Sequence, residues 1–327
     1  MVMIRIASML IGLFFGLAFT YAQELKIATF NCEFLNKNKV HIKFGHKFNL
    51  DDEPQTVQDL WANDAHRNTK FEEATLEVAK QIKLINADVI GLTEVGKLEE
   101  VELLVEKLRD LGLDYRHVAV GNSTDRSTGQ NVALLSKENL RGIEPAFIGR
   151  GLYFIEQDKD EVKQTGISKG MRARIRFNGE VIHLFLLHLK SERGNFESDQ
   201  QRLKQAEIIR NEMIPLIKGK ENVVVMGDFN SEKRHEVLLT LRGFNDINEE
   251  LVQTGDSEYF RNFDIRWTYE FQGNREQIDH ILLSIPLTKL CFSNTEARFG
   301  IESSILKTEN PLASDHNAFI VNLKFRN

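Results

Sequence analysis

The chain has 327 residues, 42% hydrophobic and 28% charged, an ordinary globular composition with length enough for a sizeable core. Its net charge of −6 supplies no strongly basic footprint, which argues against tight, non-catalytic binding of DNA or RNA. It does not exclude an enzyme that holds phosphate through a metal ion and a few local cations.

Residues 1–22 stand apart. Arg5 is followed by IASMLIGLFFGLAFTYA, an apolar stretch ending in small residues before Gln23. This reads as a secretory signal peptide cut after Ala22, with no cysteine after the cut to carry a lipid. No later apolar run approaches the roughly 20 residues of a membrane span. The mature chain, 23–327, is expected to be exported to the periplasm or the medium as one soluble, monomeric domain, since no linker, low-complexity tract or repeat divides it.

ELKIATFN predicts a first strand ending on Asn31. Residues 36–68 are polar and irregular, long for a loop, and long loops are usually functional or mobile. His41, His46 and His66 are expected to be solvated there. A helix follows over 69–86, with Phe71, Leu76, Ala79, Ile82 and Ile85 near helical spacing. ADVIGLTEV predicts a buried strand ending on Glu94, and 97–111 a second amphipathic helix. YRHVAV and NVALLS read as strands around the polar loop GNSTDRSTGQ. MRARIRFNGEVIHLFLLHLKS is a hairpin turning at Asn178-Gly179, a type I′ signal. One of its faces carries Arg172, Arg174 and Arg176, expected to be exposed, and its second arm ends at His188. A helix over 198–218 leads to NVVVMGDFN, whose apolar, β-branched run reads as a strand covered on both faces. EQIDHILLS and AFIVNLKF are the last clear strands. Strands outnumber helices, and hairpins mix with helical crossovers. The expected class is α/β: a four-layered sandwich of two mixed β-sheets packed face to face with helices outside. Cys32 and Cys291 are expected as two buried thiols.

Strand after strand ends on a polar group. Asn31, Glu94, His188, Asp228, Asn230, Asp279, Asp315 and His316 all lie at or near such an end. Each has an ordinary explanation alone: Asp228 and Asn230 as turn formers, Glu94 at a helix N-terminus, Asp315-His316 as a turn cap, His188 as a core histidine. Together they point to one polar site at an edge of the sandwich. Oxygen ligands suit a hard cation such as Mg²⁺, and the two cysteines lack zinc-cluster spacing. Histidine moves protons near neutrality, so this mixture suits metal-assisted attack of water on phosphorus. His183, among apolar neighbours, and His280, which points away from Asp279 along a strand, read as structural.

The blocks TFNCEFL, VIGLTEV, LLHLKS, VMGDFN, EQIDHILLS and ASDHNAF stand in the order found in the endonuclease/exonuclease/phosphatase superfamily, which the sequence resembles from about Leu25 to Phe325. That group includes pancreatic-type deoxyribonucleases, abasic-site endonucleases, sphingomyelinases and inositol-polyphosphate phosphatases. The resemblance implies Asn31, Glu94 and Asp315 as metal-binding residues, with Glu94 the principal ligand, Mg²⁺ the expected ion and Mn²⁺ or Ca²⁺ as alternatives. It implies that Asp228 and Asn230 orient water and phosphate. It implies that His316, paired with Asp279, activates water, and that His188 binds the phosphate and can protonate the leaving group. Asp279 would fix the His316 tautomer and raise its pKa. One position departs from the pattern. Nuclease-like relatives often carry an acid just before the VALL strand; this chain has Gln130-Asn131, and an amide can orient His188 but not charge it. The implied activity is a metal-dependent phosphodiesterase with nucleic acid as its substrate. A phosphatase or lipid phosphodiesterase on the same site is the alternative, and a secreted binding protein with a dead site a remoter one.

Overall fold

The computed structural model describes residues 23–156, 160–192, 196–244, 249–254, 267–291 and 300–326; the leader expected over 1–22 lies outside them. The elements begin with β1 (Glu24–Leu35), α1 (Gln55–Ala62), α2 (Asp64–Ile85), β2 (Val89–Val95), α3 (Leu98–Asp110), β3 (His117–Val120) and β4 (Asn131–Ser136). They continue through β5 (Arg141–Glu144), β6 (Arg150–Phe154), β7 (Val162–Gly166), β8 (Gly170–Phe177), β9 (Glu180–His188), α4 (Phe196–Lys218) and β10 (Asn222–Asp228). The last are α5 (Glu236–Arg242), β11 (Leu251–Gln253), β12 (Tyr269–Phe271), β13 (Asn274–Glu276), β14 (Asp279–Ser284), α6 (Ile285–Leu290), β15 (Ile301–Leu306) and β16 (Ala318–Lys324).

One six-stranded sheet has the order β15-β16-β1-β2-β4-β3, the other β11-β14-β10-β9-β8-β5. Both are mixed: β1 runs parallel to β2 and antiparallel to β16, and β10 runs parallel to β9 and antiparallel to β14. The alternation of strand side chains builds four layers. In β1, Leu25 and Ile27 enter the core between the sheets, while Ala28 and Phe30 join the core under α2 and α3. In β10, Val224 and Met226 face the first sheet, and Val223 and Val225 pack with Ile209 and Met213 of α4. A strand apolar on both faces is what such a layer requires. The helices meet it with spaced stripes, Phe71, Ala74, Val78, Ile82 and Ile85 on α2, each large side chain contributing about 1.5–3 kcal/mol on full burial. Among the described residues no helix is long and apolar enough to cross a membrane.

Several expectations need adjusting. The segment 36–68 is not irregular: it holds two 3-10 turns, Val40–Phe44 and Leu50–Asp52, then α1 and the start of α2. That second helix starts at Asp64, five residues before the apolar periodicity reaches it, because the Asn63 side chain caps it by accepting the His66 N–H at 3.1 Å. The histidines of this segment are not simply solvated. His41 is buried, and His41, His46 and His66 pack their rings on the buried Trp61 with centroids 5.8, 5.5 and 5.0 Å away. The turn at Asn178 (φ 49°) and Gly179 (φ 81°) has the positive φ values of a type I′ hairpin. Cys32 and Cys291 are both buried and unbridged.

Candidate active site

The face-to-face sheets bring β1 against β10, β2 against β9 and β16 against β14. The ends that carry the polar residues therefore meet at one edge. Register sets the neighbours. Asp228, last in β10, pairs with His188 on the parallel strand and with Asp279 on the antiparallel one. Gly227 permits this. Its φ is +137°, and a Cβ there would sit 1.9 Å from the Leu187 carbonyl oxygen, so only glycine lets β9 and β10 close at this point. Beyond Asp228 the strand does not continue. Asn230 has φ 47°, and its N–H donates to Asp228 Oδ1 at 2.8 Å. The two side chains are brought together by an Asx turn, not by the alternation of an extended chain.

His316 and Asp279 form a buried dyad, with Nδ1 2.8 Å from Asp279 Oδ2. Asp279 is positioned from the far side: Thr268 Oγ1 accepts the N–H groups of Ile278 and Asp279, each at 3.1 Å. Ser314 holds the other partner, accepting the His316 N–H at 2.9 Å and donating to the Asn31 carbonyl at 2.7 Å. Burial alone would lower the His316 pKa. The charge and hydrogen bond of Asp279, with the charges of Asp315 and Asp228, outweigh it and push the pKa up to about 10.

Asn31 donates through Nδ2 to Asp228 Oδ2 at 2.9 Å, and its Oδ1 accepts the Glu33 N–H at 2.8 Å. Glu94 sits at φ 59°, a conformation that costs energy for a non-glycine residue. Its Oε2 accepts the Phe34 N–H at 3.0 Å, and its Oε1 lies 3.7 Å from His188 Nε2. The same Nε2 is 3.9 Å from Asp228 Oδ2. Burial and the charge of Asp315 raise the Glu94 pKa. Burial and the charge of Asp279 push Asp228 up to about 7. Burial, with the charges of Lys169 and His316, holds His188 well below its ordinary value. Asp315 is the exposed member of the group, its Oδ1 3.9 Å from His316 Nε2.

These residues line one cleft of about 1030 Å³ that includes Glu94, His188, Asp228, Asn230, Asp315 and His316. Asn31 and Asp279 stand behind it, touching it through Asp228 and His316. The cleft also holds groups that motif reading passed over: Glu33, Lys169 and Tyr269. Burial pushes Glu33 up to about 7 against the opposing charge of Lys43, 3.3 Å away. Lys169 lies 3.1 Å from Gln130 Oε1 and 3.5 Å from Asp125 Oδ2. Gln130 thus binds Lys169 and does not orient His188, whose Nδ1 has no hydrogen-bond partner among the described residues. Tyr269 bridges to His316 through the backbone and lays its ring 4.7 Å from the imidazole. His280, by contrast, turns from the cleft to the Ser231 carbonyl at 2.8 Å, and His183 lies beside Glu221 on the opposite strand end.

The donor set suits a hard divalent cation. Ligand atoms of Glu94, His188 and Asp228 lie within 4.8 Å of one another, as do those of Asp228, Asp279 and His316. Carboxylates buried together with too little positive charge have raised pKa values, as Glu94 and Asp228 do, and a cation relieves this. Glu94, Asp228 and Asp315 line the cleft and could hold it through oxygen, with the Asn31 side-chain oxygen behind them.

The sequence model of the Endonuclease/Exonuclease/phosphatase family matches residues 28–316. A search of curated proteins finds no match. Among solved structures, truncated TDP2 from Caenorhabditis elegans is similar at 15% identity, with 93% of this chain and 98% of that chain covered and a TM-score of 0.54. A mutant of beta toxin from Staphylococcus aureus, with bound magnesium ions, is similar at 12% identity, with 91% and 99% covered and a TM-score of 0.54. An endonuclease/exonuclease/phosphatase family protein from Bacteroides thetaiotaomicron is similar at 14% identity, with 94% and 99% covered and a TM-score of 0.52. At these identities the likeness concerns the fold.

Proposed function

The chain belongs to the endonuclease/exonuclease/phosphatase family, and we propose that it is an exported, Mg²⁺-dependent phosphodiesterase acting on nucleic acid. The observation that carries the hydrolytic reading is the buried His316–Asp279 pair, 2.8 Å apart, opening on a cleft shared with Glu94, His188, Asp228, Asn230 and Asp315. Every position needed for the chemistry is filled, which speaks against a dead binding protein.

His316 has its Nδ1 engaged by Asp279, so Nε2 is the atom that takes a proton from water. Asp279 fixes the ring and stabilises the imidazolium that forms. Asp228, held by the Asn31 amide and the Asn230 N–H, orients that water. His188 stays neutral and donates from Nε2–H to a phosphate oxygen; it is a binding group and not a charged acid. Glu94 and Asp315, with the Asn31 side-chain oxygen behind them, would hold a divalent cation, which would supply charge to stabilise the phosphate oxygens and to offset the carboxylates that keep His316 protonated. The aligned donors supply the positioning that phosphoryl transfer chiefly needs.

The test is hydrolysis of plasmid DNA, RNA, sphingomyelin and a small phosphate monoester, each with Mg²⁺ and with chelator. Cleavage of DNA or RNA that chelator abolishes supports the reading. Preference for sphingomyelin or the monoester replaces the substrate; activity on none of them defeats the proposal.

A further inference from the structure

The buried stripe of α4 changes character along its length. Ile209, Met213 and Ile217 pack under the second sheet, but toward the cleft the same stripe reads Ser198, Arg202 and Gln205, all buried. An apolar side chain at position 202 would continue the packing, and replacing a buried ion pair by apolar residues is often neutral or stabilising. The chain instead places there a guanidinium that is 1% exposed. Its two acids, Asp199 at 2.7 Å and Glu192 at 3.5 Å, are themselves 52% and 40% exposed. Both meet Nη2, so the charge is balanced from the surface side while Nε and Nη1 donate elsewhere.

Those two bonds go to the strand ends that carry the site. Nε donates to Ser231 Oγ at 2.9 Å, and Nη1 to the Lys190 carbonyl at 3.1 Å. Ser231 follows Asn230, and Lys190 is two residues past His188, so one side chain grips the exits of β10 and β9 together. On the same helix Gln205 accepts the Lys190 N–H at 2.9 Å, and both backbone groups of Lys190 are thereby held by α4. Between the exits, the Asn230 amide donates to the Leu189 carbonyl at 3.1 Å and the Leu189 N–H to the Asp228 carbonyl at 3.0 Å. Asn230 keeps its φ of 47° inside this bracket, and a residue in such a conformation persists only where its surroundings over-determine it. The fixed fork of a guanidinium makes the double grip, and a single ammonium would not.

We propose that Arg202 is a positioning residue for the hydrolysis: its buried guanidinium sets the spacing of the β9 and β10 ends, and through them the aim of His188, Asp228 and Asn230 at the phosphate and the attacking water. The proposal rests on the phosphodiesterase reading above. Arg202 stands outside the cleft lining, whereas His188, Asp228 and Asn230 belong to it. A misplacement of about 1 Å caused by a substitution remote from the chemistry can cost about a hundredfold in rate. The grip acts on one half of the site only, because Glu94 and Asp315 belong to strand ends of the other sheet.

The experiment measures kcat, the Mg²⁺ midpoint and Tm, with a single-stranded oligonucleotide as substrate and all rates taken well below the lowest Tm. It compares wild type with Arg202→Met, which fills the space without donating, Arg202→Ala, which leaves room for an added guanidinium ion, and Ile209→Ala, which weakens the same stripe of α4 away from the cleft. Arg202→Met should lose about ten- to a hundredfold in kcat, with its Mg²⁺ midpoint near that of wild type. Guanidinium should restore part of the rate lost in Arg202→Ala. Ile209→Ala should melt lower yet keep the wild-type kcat. A wild-type kcat in Arg202→Met overturns the proposal and leaves the phosphodiesterase standing. So does guanidinium that raises the Tm of Arg202→Ala without raising its rate, or an equal loss of kcat in Arg202→Met and Ile209→Ala, either of which reduces Arg202 to stability. If Arg202→Ala does not fold, Arg202→Met and Ile209→Ala carry the comparison. A wild type that leaves the oligonucleotide intact defeats the parent reading and this one with it.

Discussion

Substituting either member of the His316–Asp279 pair should remove the same unit of function. Asp279 is fully buried, its Oδ2 meets Nδ1 at 2.8 Å, and its Oδ1 has no hydrogen-bond partner among the described residues. Asp279→Asn keeps the shape but removes the charge and permits the amide to donate to Nδ1, leaving Nε2 protonated and useless as a base. His316→Ala removes the base outright. A positioned general base contributes about a hundred- to ten-thousandfold, or about 2.7–5.4 kcal/mol at 1.36 kcal/mol per decade. Each single variant should lose about this much, and the double variant little more, so the coupling is of the same size as either loss. Stability should behave differently. His316→Ala strands a buried carboxylate at a cost of about 3–5 kcal/mol, which the second substitution recovers. The assay is a double-mutant cycle on single-turnover rates at saturating Mg²⁺, with thermal melts in parallel. Losses that multiply fully would refute the dyad and assign Asp279 another task; a wild-type rate in His316→Ala would make another group, with His188 first, the base.

Gly227→Ala should cost about 3 kcal/mol or more, since the new Cβ would meet the Leu187 carbonyl at 1.9 Å in a conformation that L-residues avoid; a variant melting within a degree of wild type would show that β9 and β10 can part without penalty. Without metal, stability should fall as pH rises. Glu94 and Asp228 have folded pKa values above their unfolded ones, so their contribution is complete below about pH 4 and, for Asp228, is lost as pH rises through about 7; that of His316 is complete below about 6.5 and lost as pH rises through about 10. Added Mg²⁺ should therefore raise Tm more at pH 8 than at pH 5, and an equal rise at both would argue against binding at these carboxylates. The exported chain should begin at Gln23, and mass spectrometry finding Met1 in the exported fraction would contradict the leader reading.

The layers were legible because buried strands advertise themselves: Val223–Met226 and Val89–Leu92 are apolar on both faces, and the structure covers both faces. The strand-end residues were legible as a set but not as a geometry. That Asp228 would stand between His188 and Asp279 depends on register across 40 and 51 residues of chain, which no local pattern encodes. Segment 36–68 read as irregular because its helices are short and its burial rests on Trp61 and three histidines that polar composition conceals. Gln272-Gly273 was a turn signal left unused, and with it the hairpin that brings Tyr269 to His316. Lys169 had no signal, because its place depends on Asp125 and Gln130, which are distant in sequence.

The central claim is that buried oxygen ligands hold a cation without which water does not attack the phosphate. It is tested most directly by the initial rate of cleavage of a single-stranded oligonucleotide across a Mg²⁺ titration, for wild type and Glu94→Gln, closed by chelator. The account predicts a saturable dependence on Mg²⁺ that chelator abolishes, and a midpoint at least about tenfold higher in Glu94→Gln, because an amide cannot supply the charge of a carboxylate ligand. Cleavage that persists in chelator, or a Glu94→Gln titration that overlays wild type, would contradict it.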